Sequence, residues 1–194
     1  MTIHEFYQNI FPVSDEELIE LLAGMTQIKE IPKGELLIEQ GQIQEDIAFL
    51  SHGILRAFFI DANGQEITDN FGIHPGASAV ACFKLNVPSL VSIEAITDTE
   101  IYYLPLSEVL KHLETNVSLI KLYNRLLQAS ILEHWEIKRF LTQHTAAQRY
   151  SWFLEKYPML IDCVNHKYIA SFLGISPVSL SRLRKNVKSI TVPR

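Results

Sequence analysis

The chain has 194 residues, is 47% hydrophobic and carries a formal net charge of −5, enough for one large domain or a medium domain with a small one. No stretch approaches the roughly eighteen consecutive apolar residues of a membrane span, and MTIHEFYQNIFPV lacks a basic region followed by an apolar one, so a soluble, cytoplasmic protein with no membrane partner is expected. Cys82 and Cys163 stand alone and far apart, which argues against a disulfide framework and a cysteine-based metal centre; no metal or other cofactor is implied.

The charge is unevenly divided. From residue 160 onward Lys167, Arg182, Arg184, Lys185, Lys188 and Arg194 face a single acid, Asp162, whereas the preceding part is strongly acidic. An acidic body with a cationic end predicts two units with different partners, the cationic one facing a polyanion.

Ser14-Asp15-Glu16-Glu17 opens a short amphipathic helix through Leu18, Leu21 and Leu22, with Ser14 as N-cap and Glu17 at the capping-box position. From Ile31 to Leu106, short runs rich in Val, Ile, Phe and Tyr are punctuated by Gly, Asp, Asn and Pro, the rhythm of an all-β barrel or sandwich. Within it, Asp61-Ala62-Asn63-Gly64 is a turn between AFFI and QEITDNF. The expected fold is thus α+β: a β sensor unit over residues 1–115, a long helix over 116–142 and a helical unit over 143–194.

The long helix contains no Gly or Pro. Ile120, Tyr123, Leu127, Ser130, His134, Ile137 and Leu141 follow 3-4 spacing, and Leu119, Leu122, Leu126 and Ala129 form a second apolar stripe. Two apolar faces need two partners. The spacing predicts that one face packs on the β unit and the other on the same helix of a second subunit, with Ile120, Tyr123, Leu127 and Ile137 near the two-fold axis of a homodimer. Ser130 and His134 interrupt that seam, and are expected either to approach an effector pocket or to hydrogen-bond across the dimer.

Thr145-Ala146-Ala147-Gln148 is a capping box for a helix through Tyr150, Phe153 and Leu154, stopped by Pro158. Next, Asn165 caps a helix containing Ile169, Ala170 and Leu173; Gly174 ends it; and Ser176 caps another, with Pro177 at its first position. Helix, tight turn, helix is the result. With Leu180, Leu183 and Val187 turned inward, the outer face of the second helix carries Val178, Arg182 and Lys185, flanked by Ser179, Ser181 and Asn186. Such a face suits the major groove of double-stranded DNA. Arg182 can pair bidentately with guanine, Arg184, Lys185 and Lys188 suit phosphates, and Lys167 and Tyr168 can reach the flanking backbone.

The segments IPKGELLIEQGQ, FLSHGILRAFFIDANGQEI, SIEAITDTEIYYLPLSEV and above all QRYSWFLEKYP and HKYIASFLGISPVSLSRLRK resemble the Crp/Fnr family of bacterial transcription regulators, over nearly the whole chain. The last block looks like the branch common in Bacteroidetes. The resemblance implies a double-stranded β-helix (jelly roll) of the cyclic-nucleotide-binding type, a dimer helix and a C-terminal winged helix–turn–helix. It further implies a homodimer on a two-fold-related DNA site, an effector yet to be identified, and RNA polymerase as a possible contact. Any wing strands would come mostly from Leu160 to Val164. Val178 stands where relatives often carry Glu.

The effector cassette departs from the family pattern. Ser89 falls about where cyclic-nucleotide binders hold the phosphate with Arg, and from Gly53 to Leu110 the only full cations are Arg56 and Lys84. A buried phosphate without such a group is poorly compensated, so control by cyclic AMP is not expected. The competing reading is a non-standard phosphate site in which Arg56 reaches into the roll. A cupin-like metalloenzyme would need clustered histidines, whereas His52 and His74 lie far apart, and no enzymatic activity is expected.

Overall fold

A computed structural model describes residues 1–80 and 86–190, the last five by backbone alone. Lys84 and the side chains of Asn186, Val187 and Lys188 therefore lie outside the described residues.

The chain begins with α1 (Ile3–Asn9), closed by a Thr2–Glu5 capping box, and α2 (Glu16–Met25). The N-cap of α2 is Asp15, whose carboxylate accepts from Leu18 N–H at 3.1 Å, one residue later than the expected Ser14. Seven strands follow: β1 (Gln27–Ile31), β2 (Leu36–Ile38), β3 (Asp46–His52), β4 (Leu55–Ile60), β5 (Glu66–Gly72), β6 (Ser92–Ala95) and β7 (Thr99–Pro105). They form a three-stranded sheet, β1-β7-β3, and a four-stranded one, β2-β6-β4-β5, with every named pairing antiparallel. The expected turn joins β4 to β5: Asp61 Oδ1 accepts from the Asn63 and Gln65 amides at 2.8 and 2.9 Å, and Gly64 supplies φ +77°. Gly53, between β3 and β4, has φ +107°, and a Cβ there would meet the Asp98 carbonyl at 2.8 Å. Only glycine fits that crossing.

After the roll come α3 (Leu106–Leu113), α4 (Val117–Gln143), α5 (Ala146–Lys156), α6 (Leu160–Cys163), α7 (His166–Phe172) and α8 (Pro177–Ile190). Sequence and structure agree closely on the long helix, which Asn116 caps through the Leu119 amide at 2.9 Å, and on the Thr145–Gln148 capping box of α5. The expected wing strands are corrected: residues 160–163 form the short helix α6, and no described strand lies beyond β7. None of the described helices is long and apolar enough to cross a membrane.

Three apolar clusters hold the fold. Phe6 packs edge-on against Tyr102 and Phe11 against Phe49 of the three-stranded sheet, with Tyr7 edge-on to Phe6, and Leu119 and Leu122 from the start of α4 join them. Ile31, Leu50, Leu55, Ile93 and Ile101 fill the roll. The remaining cluster joins Ile54, Phe71 and Ile96 of the roll to Ile137, Trp152, Phe153, Phe172 and Leu180 of the helical end. Each fully buried Leu, Ile or Phe contributes on the order of 1.5–3 kcal/mol, so this shared core seats the helical unit firmly on the roll.

Of the four α4 residues expected near a two-fold axis, one packs fully within the chain. Ile137 is buried within the chain, in the shared core. Tyr123 and Leu127 face a cavity against the roll, and Ile120 is half-buried. Leu119 and Leu122 of the second stripe are buried against the roll, whereas Ala129 of that stripe and His134 of the first are exposed. A different set, Ile131, Leu132 and Trp135, is left exposed at 49%, 70% and 62%.

Candidate functional site

The helix–turn–helix forms as its caps dictate. Asn165 Oδ1 accepts from Lys167 N–H at 3.0 Å; Gly174 takes φ +61°; and Ser176 Oγ accepts from Ser179 N–H at 3.1 Å to start α8. Ile169, Ala170, Leu173 and Leu180 are buried between the helices. The small Ala170 lets α7 and α8 approach. Turned the other way, Val178, Ser181, Arg182 and Lys185 are exposed along one line of α8, with Ser176 exposed at its start.

Three other expected contacts have partners inside the protein. Ser179 is half-buried, its hydroxyl 2.9 Å from Ser176 Oγ. Arg184 is half-buried, with Nη1 3.0 Å from His166 Nδ1. The Tyr168 ring has two cations near it, Arg56 at 3.6 Å and Lys167 Nζ at 4.8 Å from its centroid. Lys167 itself is exposed.

Arg56 is the largest fully buried side chain among the described residues. On β4 it alternates with Leu55 and Ala57, which point into the roll, and so emerges on the outer face of the four-stranded sheet. There α7 covers it. Nε donates to Thr68 Oγ1 at 2.9 Å, Nη1 donates to Glu66 at 2.9 Å and Glu94 at 2.8 Å, and Nη2 is buried without a hydrogen-bond partner among the described residues. The guanidinium also sits 4.3 Å from the centroid of Phe58. Beside it, Ser171 of α7 accepts from Thr68 N–H at 2.9 Å and donates to the Glu66 carbonyl at 3.2 Å. Placing Arg56 in an effector pocket is therefore corrected: it clamps sensor sheet to helical unit.

Ser89 is corrected as well. Its hydroxyl is buried and donates to the Val91 carbonyl, closing a local turn, and its backbone pairs with Gly41 and Gln42. The neighbouring Leu90 and Val91 line the cavity, whereas Ser89 does not.

That cavity, about 470 Å³, lies between the roll and α4. Its wall is mostly apolar: Phe11, Ile47, Phe49, Leu55, Ile93, Leu104, Leu122, Leu126 and Leu127. Ser130 and His134 both line it. Residues missed in the sequence complete it: Asp69, Asn70, His74 and Glu133. His134 Nδ1 lies 2.9 Å from the Ser130 carbonyl and Nε2 3.9 Å from Asp69 Oδ2. Asp69 reaches the cavity through a bulge, since Ala57 pairs with Asn70 and Phe58 with Thr68, leaving Asp69 the extra residue. A strand read by simple alternation does not reveal that. Glu133 was more accessible, being three residues from Ser130 on one helical face. Tyr7 also borders the cavity; burial pushes its phenol up to about 12, although the hydrogen bond with Thr26 acts to lower it. Among the described lining residues there is no Lys or Arg.

Comparison with known proteins places these features in context. Residues 28–116 match the cyclic nucleotide-binding domain family. Among solved structures, FixK2 from Bradyrhizobium japonicum is similar at TM-score 0.72 and 19% identity, covering 84% of this chain and 85% of that one. The c-di-GMP-responsive global regulator CLP of Xanthomonas campestris is similar at TM-score 0.73 and 12% identity, covering 93% and 96% respectively. A protein of Eubacterium rectale assigned to the Crp/Fnr family of transcriptional regulators is similar at TM-score 0.70 and 18% identity, covering 94% and 88%. At these identities the likeness is one of fold. No curated protein matches the chain in sequence.

Proposed function

We propose that this chain, which carries a cyclic nucleotide-binding domain in the fold of the Crp/Fnr transcription regulators, is itself a DNA-binding transcription regulator, active as a homodimer and not controlled by cyclic AMP. The observation that carries the reading is the exposed line of Val178, Ser181, Arg182 and Lys185 on α8, held outward by the buried Leu180 behind it. Arg182 is the base reader, and Lys185, Lys167 and Lys188 serve the phosphates. Val178 offers a methyl contact rather than a carboxylate. Arg184 acts by bracing the start of α7 through His166.

Pairing runs along the exposed face of α4, where Ile131, Leu132 and Trp135 form an apolar patch and Lys138 Nζ lies 5.0 Å from the Trp135 centroid. A second copy is the natural cover, because a two-fold along this helix would present two α8 helices to successive turns of one groove, about 34 Å apart. In this division of labour residues 1–115 sense, 116–142 pair the subunits and 143–194 read DNA. RNA polymerase is the partner such a bound dimer would address.

Independence from cyclic AMP is supported by the cavity wall, which has no described cation to replace water around a phosphate, and by Arg56, engaged on the opposite face of the sheet. Selection of bound sequences from random duplex DNA tests the reading. A two-fold motif with half-sites one helical turn apart is expected; recovery without enrichment would refute it.

A further inference from the structure

We infer that the cavity between the roll and α4 takes an elongated apolar molecule whose polar end is a hydrogen-bond donor, cationic or neutral, and that it rejects anions. This rests on the reading of the cavity as the regulator's effector site.

The inference starts from shape. On α4 the wall runs from Leu119 to His134, about 22 Å of helix at 1.5 Å per residue. One stretch of that wall is apolar, formed by Phe11, Phe49, Leu122 and Leu126, and gives a ligand no polar group to meet except the Tyr7 phenol, already paired with Thr26 at 2.6 Å. Desolvating a polar or charged group there is unfavourable, whereas a hydrocarbon or aromatic body gains by leaving water.

The polar groups gather where the C-terminal part of the α4 wall meets β5. Asp69 and Glu133 contribute carboxylates, and both are only partly buried. His134 hydrogen-bonds within α4 through one ring nitrogen and approaches Asp69 with the other. Ser130 adds a hydroxyl. Two carboxylates without a described Lys or Arg on the wall make an acceptor-rich end. It suits an ammonium or a neutral N–H or O–H donor, and it repels a carboxylate or phosphate. Both the bulge that turns Asp69 inward and the Thr68–Ser171 bond to α7 belong to β5, so a ligand at this end touches the strand on which the DNA-reading unit sits.

The test uses the full-length protein and the neutral fluorescent probe N-phenyl-1-naphthylamine, displaced by decylamine, decanol, decanoate or cyclic AMP. Saturable probe binding is expected, with decylamine displacing at about tenfold lower concentration than decanoate, decanol falling between them, and cyclic AMP without effect. The double variant Asp69→Asn, Glu133→Gln, which alters partly exposed groups, should abolish the preference for amine over carboxylate and keep decanol binding. Leu127→Trp should fill the cavity and remove probe binding. Displacement by decanoate or cyclic AMP at or below the decylamine concentration, an unchanged preference in the double variant, or no saturable probe binding at all would each overturn the inference. DNA binding measured on the same preparation separates the two readings. Specific DNA binding with the ligand order reversed refutes only the ligand class, and loss of specific DNA binding with the ligand order intact refutes only the regulator.

Discussion

Arg56 and the buried tyrosines show how individual residues carry the interface. Replacing Arg56 by Met would leave Glu94, whose side chain is only 15% exposed, beneath α7 without its cation. A stability loss of about 3–5 kcal/mol is expected, because an uncompensated buried charge costs more than the pair contributes. Glu66→Gln should cost about 1 kcal/mol or less, since that side chain is 41% exposed. Urea denaturation of the two variants checks the order. Tyr157 presents the converse case: its hydroxyl is buried with no partner among the described residues, so Tyr157→Phe should raise stability by about 1 kcal/mol. Tyr7→Phe should lower it by a similar amount by removing the bond to Thr26. Burial raises both phenols above their ordinary value, so their neutral forms belong to the folded state. The stabilisation from Tyr7 is fully present below about pH 10 and is lost as pH rises toward about 12. Thermal melts between those limits should fall, and Tyr7→Phe should flatten the fall.

At the scale of elements, local chemistry was legible and burial was not. Thr145, Asn165 and Ser176 all cap the helices they were expected to cap, since a cap is decided by a side chain and an amide two or three residues away. The turn after β4 was equally local. By contrast, which stripe of α4 meets the roll depends on residues distant in sequence: Phe11, Phe49 and Leu104 claim Tyr123 and Leu127 for the cavity wall, and Trp152 and Phe153 claim Ile137. The periodicity gave the helix and left its orientation open. Arg56 failed similarly, because β4 has apolar residues on both faces and nothing nearby in sequence announces that α7 covers the outer one. The proposed pairing surface makes a prediction. Leu132→Glu together with Trp135→Glu should yield monomers by sedimentation equilibrium, with the far-UV spectrum unchanged, whereas Leu127→Glu should disturb folding instead. A dimer persisting in the double variant would move the pairing surface elsewhere.

For the whole molecule, the uneven charge found in the sequence becomes a spatial fact. The acidic roll and the cationic helical end are joined by a shared apolar core and by the Arg56–Tyr168 contact, with Val178, Ser181, Arg182 and Lys185 of α8 left outward. Arg182→Ala should lose roughly 1–3 kcal/mol at one base pair per half-site and relax specificity there, while Lys185→Ala should weaken all sequences nearly equally and reduce the salt slope. Fluorescence anisotropy on single-base variants of the selected duplex distinguishes them. The central claim, that α8 reads sequence and does more than attract polyanions, is met most directly by titrating the selected duplex and a scrambled duplex of the same composition across a range of salt concentrations. Affinity for both should fall with salt, with the selected duplex remaining at least about 10³-fold tighter. Equal affinity for the two duplexes at every salt concentration would contradict it.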